Sequence, residues 1–170
     1  MNGAGVSPAE RTRSNPRRWV AGLALAAALS AVAAPPCRAV ESDTDPLAMA
    51  DPDYAAGKRA IEARDWSAAI QYFSSAAQRT PASADIQNYL GYAHRNAGKL
   101  DAALQHYESA LRLDPRHRGA HEYIGEAYLL VKNLAKAEEH LAALERICRL
   151  PCEEYADLKA KVAAYRKGAR

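Results

Sequence analysis

Between Ala50 and Cys148, apolar residues recur three or four positions apart in short stretches separated by polar breaks. The middle of the chain shows this best. Ile86, Leu90 and Ala93, with Gln87 and His94 beside them, fall on one helical face. Ser83 precedes them and can cover the first exposed backbone N–H groups. Gly98 supplies the permissive backbone that ends such a helix. A second face starts near Leu100 and runs through Ala103, Leu104, Tyr107, Ala110 and Leu111. Asp114-Pro115 stops it, because the residue before proline is pushed out of the helical region. The spacing predicts a hairpin of two helices, about 14 and 13 residues long, joined by a tight turn.

The same pattern returns with a period of 34 residues, at Gly57, Gly91 and Gly125. Ala69, Ala103 and Ala137 keep the step, as do Trp66, Leu100 and Leu134, and Phe73, Tyr107 and Leu141. Pro81 and Pro115 close two of the units. A fixed period of this length implies stacked hairpins, each unable to bury its apolar face alone. Small residues are expected where two backbones approach. On that basis Gly91 faces Ala103, Gly57 faces Ala69 and Ala76, and Gly125 faces Ala137. After the third unit, Cys148-Arg149-Leu150-Pro151-Cys152 leads into a helix expected from about Glu153 to Arg166. Leu158, Val162 and Tyr165, with Tyr155 and Ala156, give it one apolar stripe suited to capping the stack.

These stretches resemble the tetratricopeptide repeat, whose motif reads W-x2-L-G-x2-Y, then A-x3-F, A and P. The matching residues are Ala56-Gly57, Ala60, Ala69, Phe73, Ala76 and Pro81 in the first unit. They are Leu90-Gly91, His94, Ala103, Tyr107, Ala110 and Pro115 in the second, and Ile124-Gly125, Tyr128, Ala137 and Leu141 in the third. The motif's early tryptophan is replaced by Asp53, Gln87 and His121. The resemblance implies an all-α, right-handed solenoid of three hairpins (50–83, 84–117 and 118–148) with a capping helix and tail at 149–170. It also implies that the first helices of successive hairpins line a concave groove for peptides or protein segments. Carried over by register, the groove residues are Tyr54, Lys58 and Glu62, then Asn88, Tyr92, Arg95 and Asn96, then Glu122, Glu126 and Leu129. Lys58 and Arg95 suit a carboxylate, while Glu122 and Glu126 suit a basic segment. The bland alternative is a solvated face with local pairs such as Arg118 with Glu122. Members of the family that grip the carboxylate ending of cytosolic chaperones use a set of cations this chain lacks. Tyr89, Gly119 and Tyr123 stand in other slots of that clamp.

The ends of the chain change the charge argument. Arg11, Arg13, Arg17 and Arg18 precede an apolar, alanine-rich run from Trp19 to Ala34. That run is short for a membrane span, which needs about 20 residues. Residues 1–39 therefore read as an export signal, cleaved after Ala33 or, preferably, after Ala39; an uncleaved anchor is the alternative. Residues 40–49 read as a flexible acidic linker. The first 39 residues hold five arginines and one glutamate of the chain's 23 basic and 20 acidic residues. The remainder carries 18 against 19, so the basic balance belongs to the leader and is no evidence for nucleic acid. Export leaves two cysteines, Cys148 and Cys152, in an oxidising compartment. A disulfide across the bend is the expectation, with a redox-active pair or two metal thiolates as alternatives. His117 and His121 are spaced to share a helix face, but no third ligand is indicated, and no cofactor is expected. No nucleophile elbow, phosphate-cradling glycine loop or H-E-x-x-H zinc motif occurs, so an enzyme is not expected. The expectation is a periplasmic or secreted scaffold that binds a protein or peptide. A structural subunit assembling through apolar helix faces, or a redox- or metal-responsive protein, are the alternatives.

Overall fold

Side-chain oxygens or ring nitrogens cap most of the helices, and they mark where each begins. In the computed structural model, which describes residues 45–150 and 152–168, eight helices follow one another. They are α1 (Pro46–Met49), α2 (Pro52–Glu62), α3 (Trp66–Arg79), α4 (Ala84–Asn96), α5 (Leu100–Leu113), α6 (Arg118–Leu130), α7 (Leu134–Ile147) and α8 (Glu153–Gly168). Asp51 accepts from the amides of Asp53 and Tyr54, Asp65 from Ala68, Ser83 from Ile86, and Asn133 from Lys136. His117 does the same for α6, its Nδ1 accepting from the Ala120 amide at 3.1 Å. Lys99 heads α5 without a capping bond. All the described residues belong to one compact unit, and among them no helix is long and apolar enough to cross a membrane. The leader expected at 1–39 and the start of the linker lie outside the described residues.

Consecutive helices pair as α2/α3, α4/α5 and α6/α7, and the pairs stack in order. The turn inside each pair is the same Schellman motif. Asp65, Lys99 and Asn133 donate back to Ala60, His94 and Tyr128 across 2.9, 2.9 and 2.8 Å. That motif needs a left-handed residue, and Arg64, Gly98 and Lys132 supply it with φ of 57, 77 and 59°. Only the middle turn has the glycine its geometry favours.

The atoms nearest the repeated glycines belong to larger side chains than the alanines expected opposite them. A Cβ on Gly57 would fall 2.7 Å from the Phe73 ring, and one on Gly91 2.5 Å from the Tyr107 ring. Each glycine is the bed for the large ring of its own hairpin, and Phe73 and Tyr107 are wholly buried as a result. In the third hairpin Leu141 is too short to fill that bed and stays half-buried. Leu158 of α8 fills it instead, its Cδ2 lying 2.6 Å from where a Gly125 Cβ would be. The capping helix thus packs on both α6 and α7, burying Leu158 and Val162 with Ala137 and Leu144. Tyr165 is half-buried and Ala156 exposed, so the stripe is narrower than expected.

A disulfide joins Cys148 to Cys152 between α7 and α8. Part of the stretch expected as flexible linker is docked. Ala48 is fully buried in the first core cluster, and the Asp45 amide donates to the Asp85 carboxylate at 2.5 Å. Of the apolar residues of α1 only Ala48 is buried there, while Leu47 and Met49 stay exposed.

Candidate functional site

The first helices α2, α4 and α6 share one face, and repeat register decides what each places there. Tyr54, Asn88 and Glu122 occupy one repeat position and are all buried, at 5%, 4% and 8% exposure. Beside them runs a ladder of rings. Tyr54 meets Tyr89 edge-on at 5.5 Å, and Tyr92 meets Tyr123 at 5.1 Å and Trp66 at 6.2 Å. Two cations lie on this ladder. Lys58 Nζ sits 5.9 and 5.7 Å from the Tyr54 and Tyr89 rings, and the Arg95 guanidinium 5.3 Å from both Tyr92 and Tyr123.

Arg95 is also ion-paired with Glu126, which pairs in turn with Lys161 of α8. Burial alone would push the Glu126 carboxyl up, but Arg95 and Lys161 hold it below its usual range. Glu122 lies one turn away, and among the described residues its ion-pair partner is Lys161, at 4.0 Å. Burial, with Glu126 adding to it, raises its carboxyl to about 8. Between α4, α6 and the start of α8 lies a pocket of about 280 Å³. Its walls include Asp85, Asn88, Glu122, Tyr123 and Asp157. Asp85 is fixed by His117 Nε2 at 3.0 Å as well as by the Asp45 amide. Asn88 Oδ1 is shielded from solvent and has no hydrogen-bond partner among the described residues.

The residues expected in the groove separate into four groups. Lys58, Tyr92, Asn88 and Glu122 lie together along the ladder and pocket. Arg95 and Glu126 are in the same place but bonded to each other, so neither is available in the way proposed from register. Tyr54 belongs to the first core cluster and Leu129 packs on the third, because at these positions the stack itself takes the side chain. Glu62 is exposed, and Asn96 donates to the Tyr92 carbonyl at 2.8 Å. Arg118 reaches Glu154 of α8 at 3.6 Å. His117 and His121 do not converge: one caps α6 and the other meets His140 at 3.0 Å. His106 and His140 stack within the hairpins against His94 and Tyr128. Sequence reasoning missed Asp85, Asp157 and Lys161, two of which come from α8. Register did carry a signal for Tyr89 and Tyr123, which are one repeat apart.

A row of helical hairpins whose first helices share a side-chain-lined face, closed by a final helix, defines a helical-repeat solenoid. Two tetratricopeptide repeat family descriptions match, over residues 54–116 and 94–162, and together they span more than half the chain. The chain belongs to the tetratricopeptide repeat family. Among curated proteins none matches it in sequence. Solved structures with this fold include the Yersinia enterocolitica type III secretion translocator chaperone SycD. It has a TM-score of 0.63 and 17% identity over 69% of this chain and 83% of that one. The TPR2B domain of yeast Sti1, in a complex with pHsp70, gives 0.64 and 20% over 73% and 98%. PcrH, in complex with the chaperone binding region of PopD, gives 0.62 and 21% over 69% and 91%. At such identities the likeness establishes the fold.

Proposed function

We propose that this chain is a non-catalytic interaction scaffold that holds a protein segment along the face of α2, α4 and α6. The observation that carries the reading is the ladder of Tyr89, Tyr92 and Tyr123 with Lys58 and Arg95 laid over it. These rings are half-buried and held by their neighbours, so they offer contact area at little further entropic cost. Solved structures of like fold include complexes with a peptide of YopD, with pHsp70 and with the chaperone binding region of PopD, which supports the same use here. The scaffold acts outside the cytoplasm, as an assembly factor for an exported or envelope complex. The leader-like pattern of residues 1–39 and the Cys148–Cys152 disulfide support that setting.

The test is capture from the exported fraction with Tyr92→Ala combined with Lys58→Ala. Partner capture is expected to fall roughly tenfold or more, with the helical circular dichroism unchanged. Undiminished capture by this variant would overturn the reading.

A further inference from the structure

The pocket beside Asn88 is made by departures from the repeat. The position held by Asp51 and Asp85 falls to Gly119 in the third hairpin, and that of Tyr54 falls to Asn88 and Glu122. A methyl at Gly119 would come within 3.3 Å of Asn88 Nδ2 and 3.5 Å of the His117 ring. Absence of a side chain at Gly119, and an amide where the first hairpin has a ring, leave a hollow of about 280 Å³. Sites for drug-sized ligands start near about 300 Å³, so this one suits the end of a single side chain.

Its polar lining is one-sided. Five carboxyl residues border it, Asp85, Glu122, Glu153, Glu154 and Asp157, against one histidine, which is already bonded to Asp85. Asn88 also borders the pocket, but its unpartnered Oδ1 is closed off from solvent, so the acceptors open to the hollow are the carboxylates. Among the described residues no three acidic, histidine or cysteine side chains converge as metal ligands. Acceptors spread in this way fit a cation with several N–H groups better than a bare ion.

We propose that this pocket receives the lysine or arginine side chain of a segment lying in the groove, its N–H groups donating to the carboxylates of Glu122 and Asp157. The inference rests on the groove reading for the source of that side chain. It places a basic residue of the bound segment at the α6/α8 end, next to the tyrosine ladder.

Two arms test it. In the first, the purified protein is titrated above pH 8, where Glu122 is ionised, with N-acetyl-lysine methylamide and N-acetyl-arginine methylamide. The readout is the NMR shift of the Asn88 side-chain amide and the Gly119 backbone amide. Saturable shifts with the basic probes, absent with N-acetyl-norleucine methylamide, are expected. Asp157→Asn, on the exposed side of α8, should weaken binding roughly fivefold or more. Equal shifts with the norleucine probe, no shifts, or saturation by calcium chloride in their place would overturn the proposal. In the second arm, random dodecapeptides are selected on the protein. A basic residue enriched at one fixed position, lost with Asp157→Asn, supports the proposal. Selected peptides without such a residue overturn it and leave the groove reading standing. If the basic probes bind but no peptide is selected, the groove reading fails, and with it the segment as source.

Discussion

Tyr54, Asn88 and Glu122 occupy one position of the repeat, yet only the third is an acid, set in a buried slot beside Glu126 and near Asp157. Its carboxyl is raised from its ordinary 4.5 to about 8. Between those values the folded chain keeps a proton that the unfolded chain has released. The stability this residue contributes is therefore fully present below the unfolded value and is lost as pH rises through the folded one. Glu122→Gln mimics the protonated acid at every pH. Urea unfolding should show little difference from the parent chain at low pH. Above pH 8 the variant should be more stable by about 2 kcal/mol, less than the full shift implies because Lys161 relaxes toward the charge. A difference that is constant across pH would mean that Glu122 titrates at its ordinary value. The position was legible in the sequence, because register placed Glu122 on the groove face. Its burial was not, because the side chains that enclose it come from α4 and α8.

At the scale of elements, the helices themselves were the most legible part. Ser83, Gly98 and Asp114-Pro115 bound α4 and α5 where periodicity and local backbone chemistry put them. The turns repeat more faithfully than their residues do. Arg64 and Lys132 adopt the left-handed conformation that Gly98 adopts freely, and each carries the strain of a Cβ there. Nothing in an arginine or lysine announces this; only comparison with Gly98 one repeat away suggests it. Lys132→Gly should raise stability by roughly 0.5–1 kcal/mol, the relief of strain exceeding the added freedom of the unfolded chain. Gly98→Ala, with no atom within 4 Å of the new methyl, should lose a similar amount through backbone strain alone. Thermal or urea unfolding of the two variants checks both signs. Stabilisation by Gly98→Ala would refute this account of the turn.

For the molecule as a whole, the stack is closed by a side chain that belongs to none of its hairpins. Leu158 is fully buried in the bed of Gly125, so Leu158→Ala should cost about 3 kcal/mol and leave a cavity under α6. Because each hairpin touches only its neighbours, the loss should appear first as faster amide exchange in α8 and α7, with α2 and α3 spared. Uniformly faster exchange would mean the chain unfolds as a single unit. The sequence by itself determined the helices, their pairing and the 34-residue stacking, because these follow from periodicity, caps and local turn chemistry. Only the tertiary structure decided which side chains lie against one another. Gly125 takes Leu158 instead of its own Leu141, Arg95 is bonded to Glu126, and α8 completes an acidic pocket that no single repeat encodes. Those outcomes depend on volumes left unfilled and charges left unpaired between elements distant along the chain, and a repeat register describes each element alone.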